Sequence, residues 1–202
     1  MRRTKEQTAE TREALLDAAE VVFDRRGVAR ATLEEIAREA GMTRGALYWH
    51  FGNKQELYAA MLERVRLPLA EGESALQSLA DPFAALEDFA ARVFRRVDGC
   101  TQTRRVYTIA FLRREHLPAE SGLDEVEREM RNVGRRDFVA AFRRAQELDE
   151  LRPDVTPELA ATALQCHLVG IFYIGMQETE TFRLYEDGVA MVRCFLESYR
   201  AR

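Results

Sequence analysis

The stretch Thr32-Leu33-Glu34-Glu35-Ile36-Ala37-Arg38-Glu39-Ala40-Gly41-Met42-Thr43-Arg44-Gly45-Ala46-Leu47-Tyr48-Trp49-His50-Phe51-Gly52-Asn53-Lys54-Gln55-Glu56-Leu57 holds three helix starts within 26 residues. Thr32 and Glu35 have the Thr-x-x-Glu spacing of a capping box, ahead of Leu33, Ile36, Ala37 and Ala40. Gly41 stops that helix after about eight residues. Thr43 then caps a third segment, Arg44 to His50, in which Ala46, Leu47 and Phe51 can face inward. Asn53 and Glu56 repeat the cap and box, opening a helix through Leu57, Met61, Leu62 and Val65. Two short helices joined by a glycine-containing turn make a helix-turn-helix.

Helices this short are marginal alone in water, so they need a platform. The preceding segment, about Thr8 to Arg26, supplies one. Leu15, Leu16, Ala19, Val22 and Phe23 recur at helical spacing, Arg25 and Arg26 suit its last turn, and Gly27 suits its end. The spacing predicts a bundle over residues 1–66 that presents one short helix outward. That helix carries Gly45, which costs about 1 kcal/mol relative to Ala in a helix interior. The cost makes sense where a helix start must approach a groove floor closely. Arg44, Tyr48, Trp49 and His50 stand beside it, a dense set of long or aromatic donors.

Charge fits such a reader only locally. The chain has a net charge of -4, but residues 1–66 carry 12 Lys or Arg against 11 Asp or Glu. Affinity is therefore expected from a few placed contacts rather than from a broad basic surface. Hydrophobic residues make up 47% and charged residues 32%, a globular balance. The longest apolar run, Leu168 to Met176, has nine residues with two glycines, well short of the roughly 20 that span a bilayer. No membrane partner and no export are expected. Cys100, Cys166 and Cys194 are widely separated and suit a reducing cytoplasm. His116 and His167 have no partner at metal-ligand spacing, so neither a metal nor a cofactor is expected.

Thr32 to Leu57 resembles the DNA-binding signature of the tetracycline-repressor family. Thr-Arg-Gly-Ala-Leu-Tyr-Trp-His-Phe, preceded by Arg26 to Thr32, resembles the branch that represses multidrug efflux pump genes. The resemblance implies phosphate contacts from Thr43, Tyr48, His50 and Lys54, the last at a helix start. It implies base-edge contacts from Arg44, Gly45 and Ala46, with Arg44 able to reach guanine through two hydrogen bonds. Thr32 belongs to the same DNA-binding set. Trp49 would divide between packing and backbone contact, and Arg12 and Arg30 would reach phosphates beside the groove. The partner implied is a palindromic double-stranded DNA operator.

The remainder, residues 67–202, reads as a helical bundle for ligand binding and dimerisation, giving an all-α chain of about nine helices. Pro68 predicts a kink or break, and Leu69 to Asp81 a flexible connection. Helices are expected over about Phe83–Val97, Thr103–Arg114, Leu123–Glu150, Pro157–Gln177 and Phe182–Tyr199, with Glu115 to Gly122 as a link. The long third segment would turn Val126, Met130, Val133, Phe138, Phe142 and Leu148 inward. The resemblance implies a homodimer through the last two helices, with Leu164, Leu168, Ile171, Gly175, Val189, Val192, Phe195 and Leu196 at the interface. A cavity for a hydrophobic or aromatic small molecule is expected among Phe94, Tyr107, Ala110, Phe111, Phe138, Phe142, Leu168, Val169 and Phe172, with Tyr107, Gln165 and His167 as polar anchors. Six of these, Tyr107, Ala110, Phe111, Leu168, Val169 and Phe172, match pocket positions of the efflux branch. The expected function is a ligand-released repressor of an efflux operon. A metabolic operon remains an alternative target. An enzyme is the reading from another class, though no acid, base and nucleophile come together in the sequence.

Overall fold

A computed structural model describes residues 5–70, 80–113, 123–177 and 180–201 of the chain. Over these residues it is all-α, with nine helices: α1 (Lys5–Arg26), α2 (Leu33–Glu39), α3 (Arg44–His50), α4 (Lys54–Ala70), α5 (Pro82–Gly99), α6 (Thr101–Leu112), α7 (Leu123–Glu147), α8 (Pro157–Gln177) and α9 (Leu184–Glu197). The only β-type pairing among them is an isolated bridge between Leu151 and Arg200. The chain packs as two compact units. One comprises Met1–Arg66 with Arg105–Glu127, the other Leu67–Arg104 with Arg128–Arg202.

In the first unit, α1 buries Leu15, Leu16, Ala19, Val22 and Phe23, as its spacing predicts. These meet Ile36 and Ala37 of α2, Leu47 of α3, and Leu57, Met61, Leu62 and Val65 of α4 in the core. Tyr58, which the sequence reading left out, is fully buried and meets the Phe23 ring edge-on at 5.9 Å. Val106 and Ile109 of α6 are buried in this unit too. The capping box of α2 forms: Thr32 Oγ1 accepts from the Glu35 amide at 3.2 Å, and the Glu35 carboxylate accepts from the Thr32 amide at 3.1 Å. Gly41 ends α2 with φ +65°. The amides of Gly41 and Met42 turn back to the carbonyls of Arg38 and Ala37, which satisfies two otherwise unpaired carbonyls.

Two expectations need correction here. The α4 box is displaced by one residue: Asn53 caps the Glu56 amide at 2.8 Å, but the Glu56 carboxylate takes the Gly52 amide at 2.8 Å. Pro68 does not break the helix, since α4 continues to Ala70. Pro68 sits in the last turn, where only one intrahelical hydrogen bond is forfeited. Most of the expected connection, residues 71–79, lies outside the described residues, as do the link 115–122 and the side chains of Met130 and Val133.

In the second unit, Asp81 caps α5 through the Ala84 amide at 2.9 Å, with Pro82 at the first helical position. The core is built from Phe83, Leu86, Val93, Phe94 and Val97 of α5, Phe138 and Phe142 of α7, and the buried faces of α8 and α9. Helix α9 packs on both α5 and α8. Two glycines permit this. A Cβ at Gly188 would stand 3.0 Å from the Phe94 ring, and one at Gly175 would stand 2.9 Å from Leu184. Helix α8 is by length and composition apolar enough to cross a membrane. One side of it, including Ala160, Ala161, Leu164, Leu168, Ile171, Phe172 and Gly175, is instead buried in the unit's own core.

Candidate nucleic-acid interface

Helix α3 is anchored at both ends and along one face. Thr43 Oγ1 accepts from the Ala46 amide at 3.1 Å, leaving its own proton to donate outward. Leu47 and Phe51 are buried, one helical turn apart. That fixes the opposite face. Arg44, Gly45, Tyr48 and Trp49 are exposed, Trp49 by 71% and Tyr48 by 42%. Ala46 and His50 are partly exposed at its margins.

The exposed donors are ordered rather than loose. Arg44 Nη2 donates to the Tyr48 hydroxyl at 3.3 Å, and its guanidinium lies 5.2 Å from the centre of the Tyr48 ring. The hydrogen bond to Tyr48 raises the Arg44 pKa, with the nearby Glu34 charge adding to it. Trp49 does not pack into the core as the sequence reading had divided it. Its described ring contact is edge-on with His50 at 4.7 Å. Gly45 has open space around it: an added Cβ would meet only Thr43 Oγ1, at 3.9 Å. Nothing inside the fold requires a glycine there.

Lys54 is tied to a loop of its own chain. Its ammonium donates to the carbonyls of Val28, Ala29 and Ala31 at 2.9, 2.8 and 3.0 Å. All three N–H donors are engaged, so without DNA the amine holds the α1–α2 loop against the start of α4. Burial pushes its pKa below the usual lysine value. Thr32 is likewise committed, its hydroxyl both accepting from the Glu35 amide and donating to the Glu35 carboxylate. Arg12 lies over the Phe51 ring at 5.1 Å, beside the end of α3. Arg30 lines an open groove of about 480 Å³ with Arg25, Arg26, Thr32, Glu34, Glu35 and Arg38. Arg25 pairs with Glu39 at 3.1 Å and Arg26 with Glu35 at 3.2 Å. Glu35 and Glu39 are thus tied to arginines, and Glu35 and Glu56 also to backbone amides at helix starts.

The expected ligand residues fall in both units. Tyr107, Ala110 and Phe111 belong to the first, all partly exposed, with Tyr107 and Phe111 stacked at 6.0 Å. In the second, Phe94 meets Phe172 at 5.1 Å, Phe138 meets Phe89 at 5.7 Å, and Phe142 meets Phe83 at 5.9 Å. These are edge-on contacts between buried rings, except that Phe89 is partly exposed. Leu168 is buried, while Val169 is 39% exposed on the outer side of α8 and does not face the packed aromatics. His167 Nε2 lies 3.2 Å from the Met191 carbonyl, to which its N–H donates, and its ring stacks on Phe195 at 4.6 Å. An apolar recess of about 260 Å³ opens there, lined by Cys166, His167, Gly170, Ile171, Ile174, Phe182 and Met191.

The expected dimer residues need the larger correction. Leu164, Leu168, Ile171, Gly175, Val192 and Leu196 are buried within the chain's own α8–α9 core and cannot form an outer face. Only Val189 and Phe195 keep partial exposure. The apolar side chains left outside are Leu159, Val169, Tyr173 and Ile174 of α8 and Met191 of α9. Among the described residues, no group of three His, Cys, Asp or Glu side chains is arranged to hold a metal ion.

Residues 15–61 match the family model described as "Bacterial regulatory proteins, tetR family". The chain is 32% identical over its whole length to the HTH-type transcriptional repressor BepR of Brucella suis biovar 1 (strain 1330), covering 97% of that protein. Its fold is similar to that of NalD, the secondary repressor of the MexAB-OprM multidrug efflux pump in Pseudomonas aeruginosa. The TM-score is 0.86 at 31% identity, over 97% of this chain and 98% of that one. It is similar also to SmeT, the repressor of the Stenotrophomonas maltophilia multidrug efflux pump SmeDEF, in its triclosan complex. There the TM-score is 0.85 at 34% identity, over 95% of this chain and 92% of SmeT. A helix-turn-helix with its recognition helix unobstructed, and a full-length match to such a repressor, lead to one assignment: the chain belongs to the tetR family of bacterial regulatory proteins.

Proposed function

We propose that the chain is a homodimeric repressor of a multidrug efflux operon, released from a palindromic operator by hydrophobic small molecules. Residues 1–66 read DNA, and residues 67–202 take the ligand and form the dimer. The observation that carries this reading is the outer face of α3. Arg44 is held by Tyr48, and Gly45 stands open beside it, with Trp49 and His50 at the edge. Arg44 and Gly45 approach base edges, while Thr43, Tyr48 and His50 hold the phosphates. Two such helices must stand about 34–36 Å apart to enter successive major grooves, which pairing through a two-fold axis supplies. The exposed apolar strip of α8 and α9, with Leu159, Val169, Tyr173, Ile174 and Met191, is the surface that such pairing buries. Efflux genes as the target are supported by the roles of NalD and SmeT as efflux-pump repressors, and an apolar effector by the triclosan complex of SmeT.

The test starts from random duplex DNA, from which the wild-type chain enriches its own site. Enrichment of a palindrome is expected. Arg44→Ala should then cost about 1–3 kcal/mol on that palindrome and relax discrimination at one base pair of each half. Equal losses on the palindrome and on random DNA would refute base reading by Arg44.

A further inference from the structure

Arg44 and Tyr48 stand one helical turn apart on the outer face of α3, a spacing at which side chains meet. Arg44 Nη2 donates to the Tyr48 hydroxyl at 3.3 Å, and the guanidinium carbon lies 5.2 Å from the centre of the Tyr48 ring. Both side chains are exposed, so the pair forms outside the core and the fold does not depend on it. An unrestrained arginine samples many rotamers, and a base contact has to select one of them. Ring and hydroxyl restrict Arg44 before DNA arrives, which lowers that cost. The nearby Glu34 charge also attracts the guanidinium, but a charge alone fixes no direction for it. The hydroxyl accepts from Arg44 through a lone pair and keeps its own proton, which it can donate to a phosphate oxygen.

We propose that Tyr48 is a positioning residue that sets base discrimination by Arg44, its hydroxyl joining the base-reading guanidinium to the DNA backbone. The inference rests on the DNA-reading proposal above and adds a second role to the phosphate contact given there. In the complex Tyr48 donates to a phosphate and accepts from Arg44. The phosphate fixes the hydroxyl, and the hydroxyl fixes the guanidinium against the base edge. Donation to an anion polarises the hydroxyl oxygen and strengthens the bond that it accepts. A phosphate contact alone carries no sequence information, and its loss weakens every duplex alike. A phosphate contact linked to Arg44 does carry it. Loss of the hydroxyl then weakens the matched base pair more than a mismatched one.

The experiment uses the full chain, Tyr48→Phe, Arg44→Ala and the double variant. Each is titrated by anisotropy with a palindrome enriched by the wild type, and with palindromes in which each base pair of the half-site is exchanged in turn. Phenylalanine keeps the ring and removes only the oxygen. At the base pair where Arg44→Ala loses discrimination, Tyr48→Phe should lower discrimination about fivefold, with the other base pairs read as in the wild type. In the Arg44→Ala background the same substitution should leave discrimination unchanged, since no guanidinium remains to be positioned. An equal loss on every duplex overturns the proposal and leaves Tyr48 as a phosphate contact. An equal fall in discrimination with and without Arg44 overturns it too. Nuclear magnetic resonance of the free chains needs no DNA: the Arg44 Nε–H signal should move in Tyr48→Phe, and an identical signal in both chains overturns the pairing. Arg44→Ala separates this proposal from the one it rests on. If that variant discriminates as the wild type does, base reading by Arg44 fails and this proposal with it. If it loses discrimination while Tyr48→Phe does not, this proposal alone fails.

Discussion

Helices α3 and α8 both leave large apolar or aromatic side chains exposed, yet for opposite physical reasons. On α3 the core contact is complete with Leu47, and the outer residues Arg44, Tyr48 and Trp49 each combine a broad surface with hydrogen-bond donors. That surface suits a polar, charged partner. On α8 most side chains are apolar. One side closes the chain's own core, and Leu159, Val169, Tyr173 and Ile174 remain on the other. That surface suits a second apolar face. Exposure alone identifies neither partner; the chemistry of what is exposed separates them.

The largest expected effect sharpens this contrast within α8 itself. Leu168→Glu places a carboxylate in the core and should destabilise the chain by more than about 3 kcal/mol, visible as a collapsed thermal transition. Tyr173→Glu, five residues on and half exposed, should keep the helical circular dichroism signal while sedimenting as a monomer. A Tyr173→Glu chain that sediments as a dimer puts the pairing surface elsewhere.

A smaller effect belongs to the reading head. Lys54→Met removes three hydrogen bonds from a cation to loop carbonyls and should cost about 2–4 kcal/mol of stability. The salt dependence of DNA binding should keep its slope. If the slope instead falls by about one, the amine lies on a phosphate in the complex and the internal role assigned to it is wrong.

The same contrast explains what the sequence made legible. Thr32, Thr43 and Asn53 announce helix starts through local hydrogen bonds, so α2, α3 and α4 were placed by chemistry that acts within four residues. The outer face of α3 followed because one short helix has one inner side. In α8 the apolar residues surround the helix, and periodicity cannot say which side meets the chain's own α9. Leu164, Leu168, Ile171 and Gly175 were therefore assigned to the wrong surface. The loop contacts of Lys54 are hidden from the sequence for another reason. Its partners Val28, Ala29 and Ala31 lie 23 to 26 residues away and are backbone carbonyls, which leave no mark in a sequence.

Gly45 offers the most direct test of the claim that α3 is kept clear for DNA. An alanine there should meet nothing closer than 3.9 Å within the chain and should favour the helix by up to about 1 kcal/mol. The added methyl would point to where the groove floor must come. Thermal unfolding and anisotropy titration of an enriched palindrome, on the wild type and Gly45→Ala, should therefore move in opposite directions, with a higher melting temperature and a weaker DNA complex. A Gly45→Ala chain that binds the palindrome as tightly as the wild type, or whose stability and DNA affinity fall together, would contradict the account.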